Sequence, residues 1–411
     1  MVKVFFAKET FFSTFIIVFI LLLLRNIMPV LFPILHCEDG RDLLAYHFNS
    51  DSVLSVFQYY NGYLSLYPNF VSEVSILLFP LTVYPYVSVF FAILPAAIAY
   101  SMFSSVLYRG YIASDRHRKI ICICLALVPL GNHAMFTNLM YSLWNILLVY
   151  IFILLMPNPF SRGRSFSIAI VLTAVLAIWT HPLAILGLPI LLYRCVFTNS
   201  GRIYYLVMVA ATIAYFFLGK TASVQIHEVN YFDAILLFLT RVIFEPFFGN
   251  SIRMWAVNEM SLIVVASSLL LFLLAFMYRQ DRRTFELVSI SAVFIVGIFV
   301  VSILSRGQYV LDFLNFKSGH RYFYISQYLV LFVFFNLSVP FLMKHRQNFN
   351  RNMLKAIFSV WIVLLLVQNA SYFSTGKSKS DALFEFLHRY DGKSDLVLDR
   401  GVWSIKLNSS K

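Results

Sequence analysis

Long apolar stretches constrain the fold of this chain more than any other feature of its sequence. Several of them reach about 20 residues with few or no charges, and a helix of that length crosses a hydrocarbon core of about 30 Å. Hydrophobic residues make up 60% of the 411 residues and charged residues only 12%. A soluble domain of this size needs far more charged surface. The sequence therefore predicts an all-α polytopic membrane protein.

Hydropathy and helix-breaking residues divide the chain into about eleven predicted spans. The spans are residues 10–30, 84–107, 119–132, 138–156, 165–180, 182–197, 203–219, 260–278, 285–304, 322–343 and 355–371. We therefore predict one transmembrane domain over residues 1–371, followed by a small tail over residues 372–411. The tail begins with a polar linker and continues with an amphipathic pattern.

The net charge of +13 is explained by the orientation of the chain in a membrane and not by a nucleic-acid partner. With a cytoplasmic N-terminus, the predicted inside segments hold 17 of the 32 Lys and Arg residues but only four of the 19 acids. Every short inside loop then carries at least two cations, as the positive-inside rule requires. The larger outside segments are residues 31–83, 220–259, 305–321 and the tail, so we expect any chemistry at the outer face.

The first outside loop gathers acids directly after a predicted span, in the stretch EDGRDLL. If this stretch is helical, Glu38 and Asp42 share one face and Asp39 turns towards a neighbouring face. A carboxylate at the membrane boundary is partly desolvated, which raises its pKa and suits it to general-base catalysis. The same acids could instead mark the exit of a helix from the membrane, or hold a divalent cation.

Two later outside loops also carry charge. The stretch SRGQYVLDFLNFKSGHRYFY, residues 305–324, contains four basic side chains: Arg306, Lys317, His320 and Arg321. A guanidinium at headgroup depth can hold a phosphate bidentately, although an Arg snorkelling beside an aromatic belt explains the same pattern. Residues 233–244 have the pattern of a helix lying on the outer surface, and we interpret the charges of the 220–259 loop as a solvated polar face.

Five pieces of the sequence occur in an order that resembles the membrane-embedded glycosyltransferases of the GT-C fold. They are EDGRDLL (38–44), YYNGYLSLYPNFVSEV (59–74), NLMYSLWN (138–145), HPLAILGLPILL (181–192) and GHRYFY (319–324). By size and topology the chain looks most like the phage-type O-antigen glucosyltransferases that decorate lipopolysaccharide. The resemblance implies a GT-C-like helical bundle with outside juxtamembrane helices. It also implies a bacterial inner-membrane location with a cytoplasmic N-terminus and a periplasmic C-terminus.

The resemblance further implies an inverting glycosyltransferase with its active site at the periplasmic face. Such enzymes move a sugar, here a hexose such as glucose, from a polyprenyl-phosphate donor such as undecaprenyl phosphate to a lipid-linked or surface glycan such as O-antigen. An acid of the first outside loop deprotonates the acceptor hydroxyl, and basic residues near later helix ends bind the donor phosphate. No organic cofactor is implied, and a divalent cation stays open.

Carried onto this chain, the general base is Asp39, narrowly ahead of Glu38. The donor phosphate then binds Arg321, helped by Lys317 or Arg306. Further candidates for substrate binding are Asp42, Tyr63, His320 and Tyr322.

Two other classes of protein share parts of this pattern. O-antigen polymerases and ligases are also polytopic, but they rely on arginines and a histidine in large late outside loops, whereas here the late loop is short. A lipid or polysaccharide flippase should bury charges near the middle of its spans. In this chain the ionisable residues lie near the span ends. The sequence thus favours glycosyl transfer over both alternatives.

Overall fold

The structure of the chain is a computed structural model, and it is dominated by helices, which confirms the all-α prediction. It describes residues 10–36, 38–50, 52–60, 63–128, 130–131, 134–198, 201–218, 228–248, 282–314, 319–344, 363, 377–391, 396–399 and 404–408. Within these residues the β-structure consists of two short antiparallel hairpins.

The described α-helices are numbered in chain order. They are α1 (Thr10–Arg25), α2 (Ile27–Leu31), α3 (Tyr46–Phe48), α4 (Leu66–Leu78), α5 (Tyr84–Met102), α6 (Asp115–Leu127), α7 (Ala134–Thr137), α8 (Ser142–Leu155), α9 (Arg164–Ile178), α10 (Leu188–Phe197), α11 (Arg202–Leu218), α12 (Tyr231–Leu237), α13 (Glu245–Phe248), α14 (Arg282–Arg306), α15 (Val310–Leu314), α16 (His320–Lys344) and α17 (Lys377–Arg389).

Other regular elements connect these helices. Two π-helices span Glu38–Ala45 and Phe238–Phe244, and 3₁₀ turns occur at Val53–Phe57, Val106–Tyr108, Pro159–Arg162, Pro182–Gly187 and Gly307–Tyr309. Strand β1 (Tyr59–Tyr60) pairs with β2 (Tyr63–Leu64), and β3 (Leu396–Asp399) pairs with β4 (Ser404–Leu407).

Two helical segments in the described residues are both long and apolar enough to cross a membrane: α5, and the run Arg283–Tyr309 that includes most of α14. Six further apolar helices have 10–17 residues, and one of them, α4, lies inside the predicted first outside loop. Breaks at Pro and Gly shorten several of the others, as at the 3₁₀ turn Pro182–Gly187 that precedes α10. The predicted spans 260–278 and 355–371 lie outside the described residues, except for residue 363.

Aromatic side chains form much of the core between the long helices. The rings of Tyr100 in α5 and Tyr328 in α16 are 4.5 Å apart, and Phe152 in α8 lies 5.1 Å from Phe332 in α16, both edge to face. This geometry is the one that aromatic quadrupoles favour. The phenol of Tyr324 donates to Asn145 at 2.8 Å, which satisfies a polar group between two helices.

Connections that the sequence predicts on one side of a membrane contact one another. Arg194 pairs with Glu286 at 3.1 Å, and Arg283 donates to the carbonyl of Gly110 at 3.4 Å. These residues come from three separate predicted inside segments. The predicted outside segments also contact one another, as Glu38 does Arg321.

A buried polar cluster holds the first loop against α4. The His47 ring lies 2.9 Å from a carboxylate oxygen of Glu73, and the Ser55 hydroxyl donates to the same oxygen at 2.7 Å. Asn69 in α4 donates to the carbonyl of Val56 at 3.1 Å. Because all four side chains are buried, breaking these hydrogen bonds would leave polar groups without partners and would cost free energy. The bonds therefore fix the loop that carries the acids.

The tail packs on the first loop. An apolar cluster joins Leu44, Ala45 and Tyr84 to the α17 side chains Leu383 and Phe386. The amide of Asn49 donates to the carbonyl of residue 406 and accepts from the N–H of residue 408, both at 2.9 Å. The predicted amphipathic tail is therefore a docked unit at the end of the bundle that holds the acids.

The buried face of α17 supplies the first prediction. Leu383 has no exposed surface, so Leu383→Ala should cost about 2–5 kcal/mol of packing free energy and release the tail. Limited proteolysis followed by mass spectrometry should then show faster loss of the C-terminal fragment. The exposed Val397 in β3 provides the control, since Val397→Ala removes apolar surface that is already in solvent. Equal cleavage rates in the two variants would contradict the docking.

Candidate active site

The acids of the first loop lie on a π-helix, Glu38–Ala45. The sequence leaves open whether this stretch is helical, and the structure shows a helix whose turns are wider than those of an α-helix. Such turns are rare and frequently occur at functional sites. Glu38, Asp39 and Asp42 each contact a different partner: Arg321, backbone N–H groups, and Arg41. The helix thus separates three carboxylates that are close in sequence.

Asp39 joins the first loop to the turn before α8. Its two carboxylate oxygens accept the backbone N–H groups of Leu139 and Met140 at 2.8 and 2.9 Å. The next N–H, of Tyr141, donates to the side chain of Asn138 at 3.0 Å. Leu139 and Met140 lie in the turn that joins α7 to α8, before the first residue of α8. Asp39 therefore fixes a turn that lies about a hundred residues further along the chain.

Burial controls the ionisation of Asp39. The side chain is only 1% exposed. Burial raises the pKa of the Asp39 carboxyl to about 7, against the two N–H bonds, which lower it. The neighbouring charges of Glu38 and Asp42 raise it further.

Glu38 faces Arg321, although 283 residues separate them. The guanidinium lies 3.5 Å from the carboxylate and donates to the Tyr141 hydroxyl at 2.5 Å, and that hydroxyl is 3.3 Å from Glu38. The side chains of Arg321 and Glu38 are 35% and 18% exposed, so both are open to a solute. The proximity that a base and a phosphate-binding cation require is therefore present for Glu38.

Local geometry at the start of α16 positions Arg321. Gly319 has φ of +85°, a conformation that other residues rarely adopt, and a side chain there would collide with the Phe313 ring. The turn at Gly319 leads directly into α16, so Arg321 lies in its first turn. Its guanidinium is 5.0 Å from the centre of the Tyr322 ring and 5.1 Å from that of Tyr141.

Tyr322 stands between two cations. Arg306, at the end of α14, has its guanidinium 5.9 Å from the Tyr322 ring, and Arg321 donates to the Tyr322 hydroxyl at 3.1 Å. The ring also contacts Phe313 and Trp144, at 5.8 and 6.2 Å between centres. Two of the three cations predicted for phosphate binding therefore flank one aromatic side chain. The third, Lys317, lies outside the described residues.

The second outside loop contributes a buried ion pair beside this site. Arg241, on the π-helix Phe238–Phe244, pairs with Glu245 at 2.9 Å and donates to the carbonyl of Phe313 at 3.1 Å. His320 lies 3.3 Å from Arg241, and burial together with that charge lowers the pKa of His320 to about 4. The prediction of a solvated polar face is wrong for Arg241, which is fully buried. His320 is thus neutral at pH 7, and its contact with Arg241 joins the start of α16 to the second outside loop.

The remaining candidates lie to the side of this arrangement. Asp42 binds Arg41 through two bonds of 2.7 and 2.9 Å, and Tyr63 lies in β2, paired with Tyr60. Within the described ranges, no group of three or more His, Cys, Asp or Glu residues could hold a metal ion. The carboxylates of the first-loop acids have three separate partners: Arg321, backbone N–H groups and Arg41.

Sequence reasoning missed two groups that shape the site. Tyr141 bridges Glu38 and Arg321, and Arg241 with Glu245 supports the turn before α16. Tyr141 lies inside the NLMYSLWN motif, and its place in that motif was the one indication in the sequence that it belongs to the site. Arg241 and Glu245 are spaced i and i+4 on a helix, which is the spacing of an ion pair.

The chain was compared with protein-family models, with curated proteins and with solved structures. No family model, curated protein or solved structure matches it.

Removing the Asp39 carboxylate should destabilise the protein. In Asp39→Ala two buried N–H groups in the turn before α8 lose their acceptors, which should cost about 2–4 kcal/mol. Glu38→Ala is the matched control, because Glu38 is partly exposed and its loss should cost about 1 kcal/mol or less. Thermal unfolding midpoints in detergent compare the two variants. A larger loss for Glu38→Ala would contradict the role of Asp39 in holding this turn.

Asp39 should also make stability depend on pH. Its pKa is 3.8 in the unfolded chain and about 7 in the fold, so between these values the folded state binds more protons. Stability should therefore be full below about pH 4 and should fall as the pH rises through about 7. Unfolding midpoints measured from pH 4 to 8 test this, and Asp39→Asn should lose this part of the pH dependence. An identical slope in wild type and variant would exclude Asp39 as its source.

Proposed function

We propose that this chain is a GT-C-like inverting glycosyltransferase of the bacterial inner membrane, with about eleven spans and a periplasmic active site. It moves a hexose from a polyprenyl-phosphate donor to a lipid-linked or surface glycan. The observation that carries the proposal is the partly exposed contact of Glu38 with Arg321 at 3.5 Å. A carboxylate beside a guanidinium, walled by aromatic rings, is the combination that this transfer needs.

Contacts at both ends of the bundle support the proposed topology. The ion pairs Arg109–Asp115, Arg118–Asp115 and Arg194–Glu286 join residues of the predicted inside segments to one another, which fits a cytoplasmic face. The first loop, the turn before α16 and the tail lie together at the other end. A cytoplasmic N-terminus and a periplasmic C-terminus together require an odd number of spans.

Arg321 is proposed to bind the donor phosphate. The phosphate displaces Glu38 from the guanidinium, and Arg306 approaches from the other side of Tyr322. As the bond between the sugar C1 and the phosphate oxygen breaks, negative charge grows on the polyprenyl phosphate. A preorganised cation stabilises that charge more in the transition state than in the ground state.

Exposure favours Glu38 as the general base. Its carboxylate, released by the arriving phosphate, accepts the proton of the acceptor hydroxyl while the hydroxyl oxygen bonds to C1 from the face opposite the phosphate. Asp39, the sequence's first choice, has both oxygens in bonds to backbone N–H groups and is 1% exposed. We therefore assign Asp39 to positioning, since it holds the π-helix on which Glu38 lies.

The variant Glu38→Gln tests this assignment. It keeps the size of the side chain but removes the base, so the transfer rate should fall by about 10²- to 10⁴-fold. The measurement is glycan analysis in cells that supply donor and acceptor, and the expected result is loss of a branch sugar with chain length intact. Glu385→Gln removes the acid of an exposed Glu–Arg pair on α17 and should leave the branch sugar unchanged.

Two outcomes of the same comparison would contradict the proposal. A shortened or absent polymer in Glu38→Gln would indicate a polymerase or ligase. Full branching in Glu38→Gln would exclude Glu38 as the base, and full branching in Asp39→Asn as well would exclude both adjacent acids.

A further inference from the structure

A cleft of about 450 Å³ lies between the first loop and the tail. Arg41, Tyr46 and Asn49 line it from the first loop, and Ser404 and Lys406 line it from β4. Its volume falls in the range of small-molecule sites, about 300–1,000 Å³. One wall comes from the helix that carries Glu38, and the other comes from a tail that the mechanism above does not use.

The two walls are held together by specific bonds. The Asn49 side chain bonds to the backbone of residues 406 and 408 at 2.9 Å on each side, and Phe48 packs on Tyr390 at 5.2 Å between ring centres. The buried cluster of Leu44, Leu383 and Ile405 lies behind them. The cleft is therefore a feature of the docked tail and not a gap between unconnected segments.

The lining favours an anion, although one of its two cations, Arg41, is already paired with Asp42. Among the described residues that line the cleft, two are cations and none is acidic. The Arg41 side chain is 49% exposed beside its partner Asp42, and Lys406 is exposed. Tyr46, 38% exposed, offers a ring face and a hydroxyl, and the serine hydroxyl of Ser404 adds a donor and an acceptor. Cations, hydroxyls and one aromatic face together suit an acidic sugar.

The position of the cleft gives it a role in the reaction. Arg41 lies three residues after Glu38 on the same π-helix, Glu38–Ala45. The cleft and Glu38 are thus within one helical turn of each other, and an acceptor glycan longer than one sugar can contact both.

We propose that the cleft between the first loop and the tail binds an acidic sugar residue of the acceptor glycan, a uronic acid or a comparable anionic sugar. This inference rests on the proposed function, because only a glycosyl acceptor would bring such a residue here. Arg41 and Lys406 bind its carboxylate, and Tyr46 packs on its ring.

Equilibrium binding tests the cleft without any transfer. The full-length protein in nanodiscs of neutral lipid is titrated with methyl glucuronide and, separately, with methyl glucoside, and binding is followed by saturation-transfer NMR. The glucuronide should bind at least about tenfold more tightly, since a charge-assisted hydrogen bond is stronger than a neutral one. Arg41→Gln or Lys406→Gln should remove that preference. Arg389→Gln removes an exposed cation of the tail that does not line the cleft, and should keep it.

Several results would overturn the proposal. They are equal binding of the two glycosides, no binding of either, or an equal loss of affinity in Arg389→Gln and Lys406→Gln. Repeating the titration in discs with an anionic lipid separates a sugar from a headgroup, because loss of glucuronide binding there would assign the cleft to the lipid. A failed titration beside an intact branch sugar would reject the cleft alone. Retained binding beside unchanged glycans in Glu38→Gln would reject the catalytic assignment alone.

Discussion

The bond from Asp39 to the turn before α8 is the constraint on which the rest of the site depends. It joins a loop near the N-terminus to the turn that precedes the core helix α8, through the N–H groups of Leu139 and Met140 in that turn. Because Glu38 is the preceding residue, this bond also sets where the Glu38 carboxylate lies. Arg321 reaches the same point from α16, and Tyr141 links the two.

The two adjacent acids differ in burial: Asp39 is buried and Glu38 is partly exposed. A fully desolvated carboxylate is held by dipoles and contributes rigidity, whereas a partly exposed one can exchange partners with an incoming ligand. Two arginines of the site differ in burial in the same way. Arg241 is buried in an ion pair, whereas Arg321 is partly exposed beside aromatic rings. The buried members of each pair hold the elements from which the exposed members extend.

Much of the architecture followed from the sequence. Helices occur at the predicted spans within the described residues, but only two of them are long and apolar enough to cross a membrane. The acids of the first loop and Arg321 were expected on one face. The partner of Asp39 could not be predicted, because a bond to backbone N–H groups leaves no mark in the side chains of residues 139 and 140. The burial of Arg241 was missed for a related reason. Its helix has an amphipathic pattern, and only the tertiary packing of Phe313 and His320 shows which face is covered.

The central claim is that a sugar is transferred from a lipid phosphate at the Glu38–Arg321 site. The most direct test reconstitutes the purified protein in proteoliposomes with a polyprenyl-phosphate hexose and a glycan acceptor. NMR then assigns the anomeric configuration of the product while the released lipid is quantified. The account predicts a product of inverted configuration and release of one polyprenyl phosphate for each sugar transferred. Retained configuration, or passage of the intact donor to the other leaflet without cleavage, would contradict it.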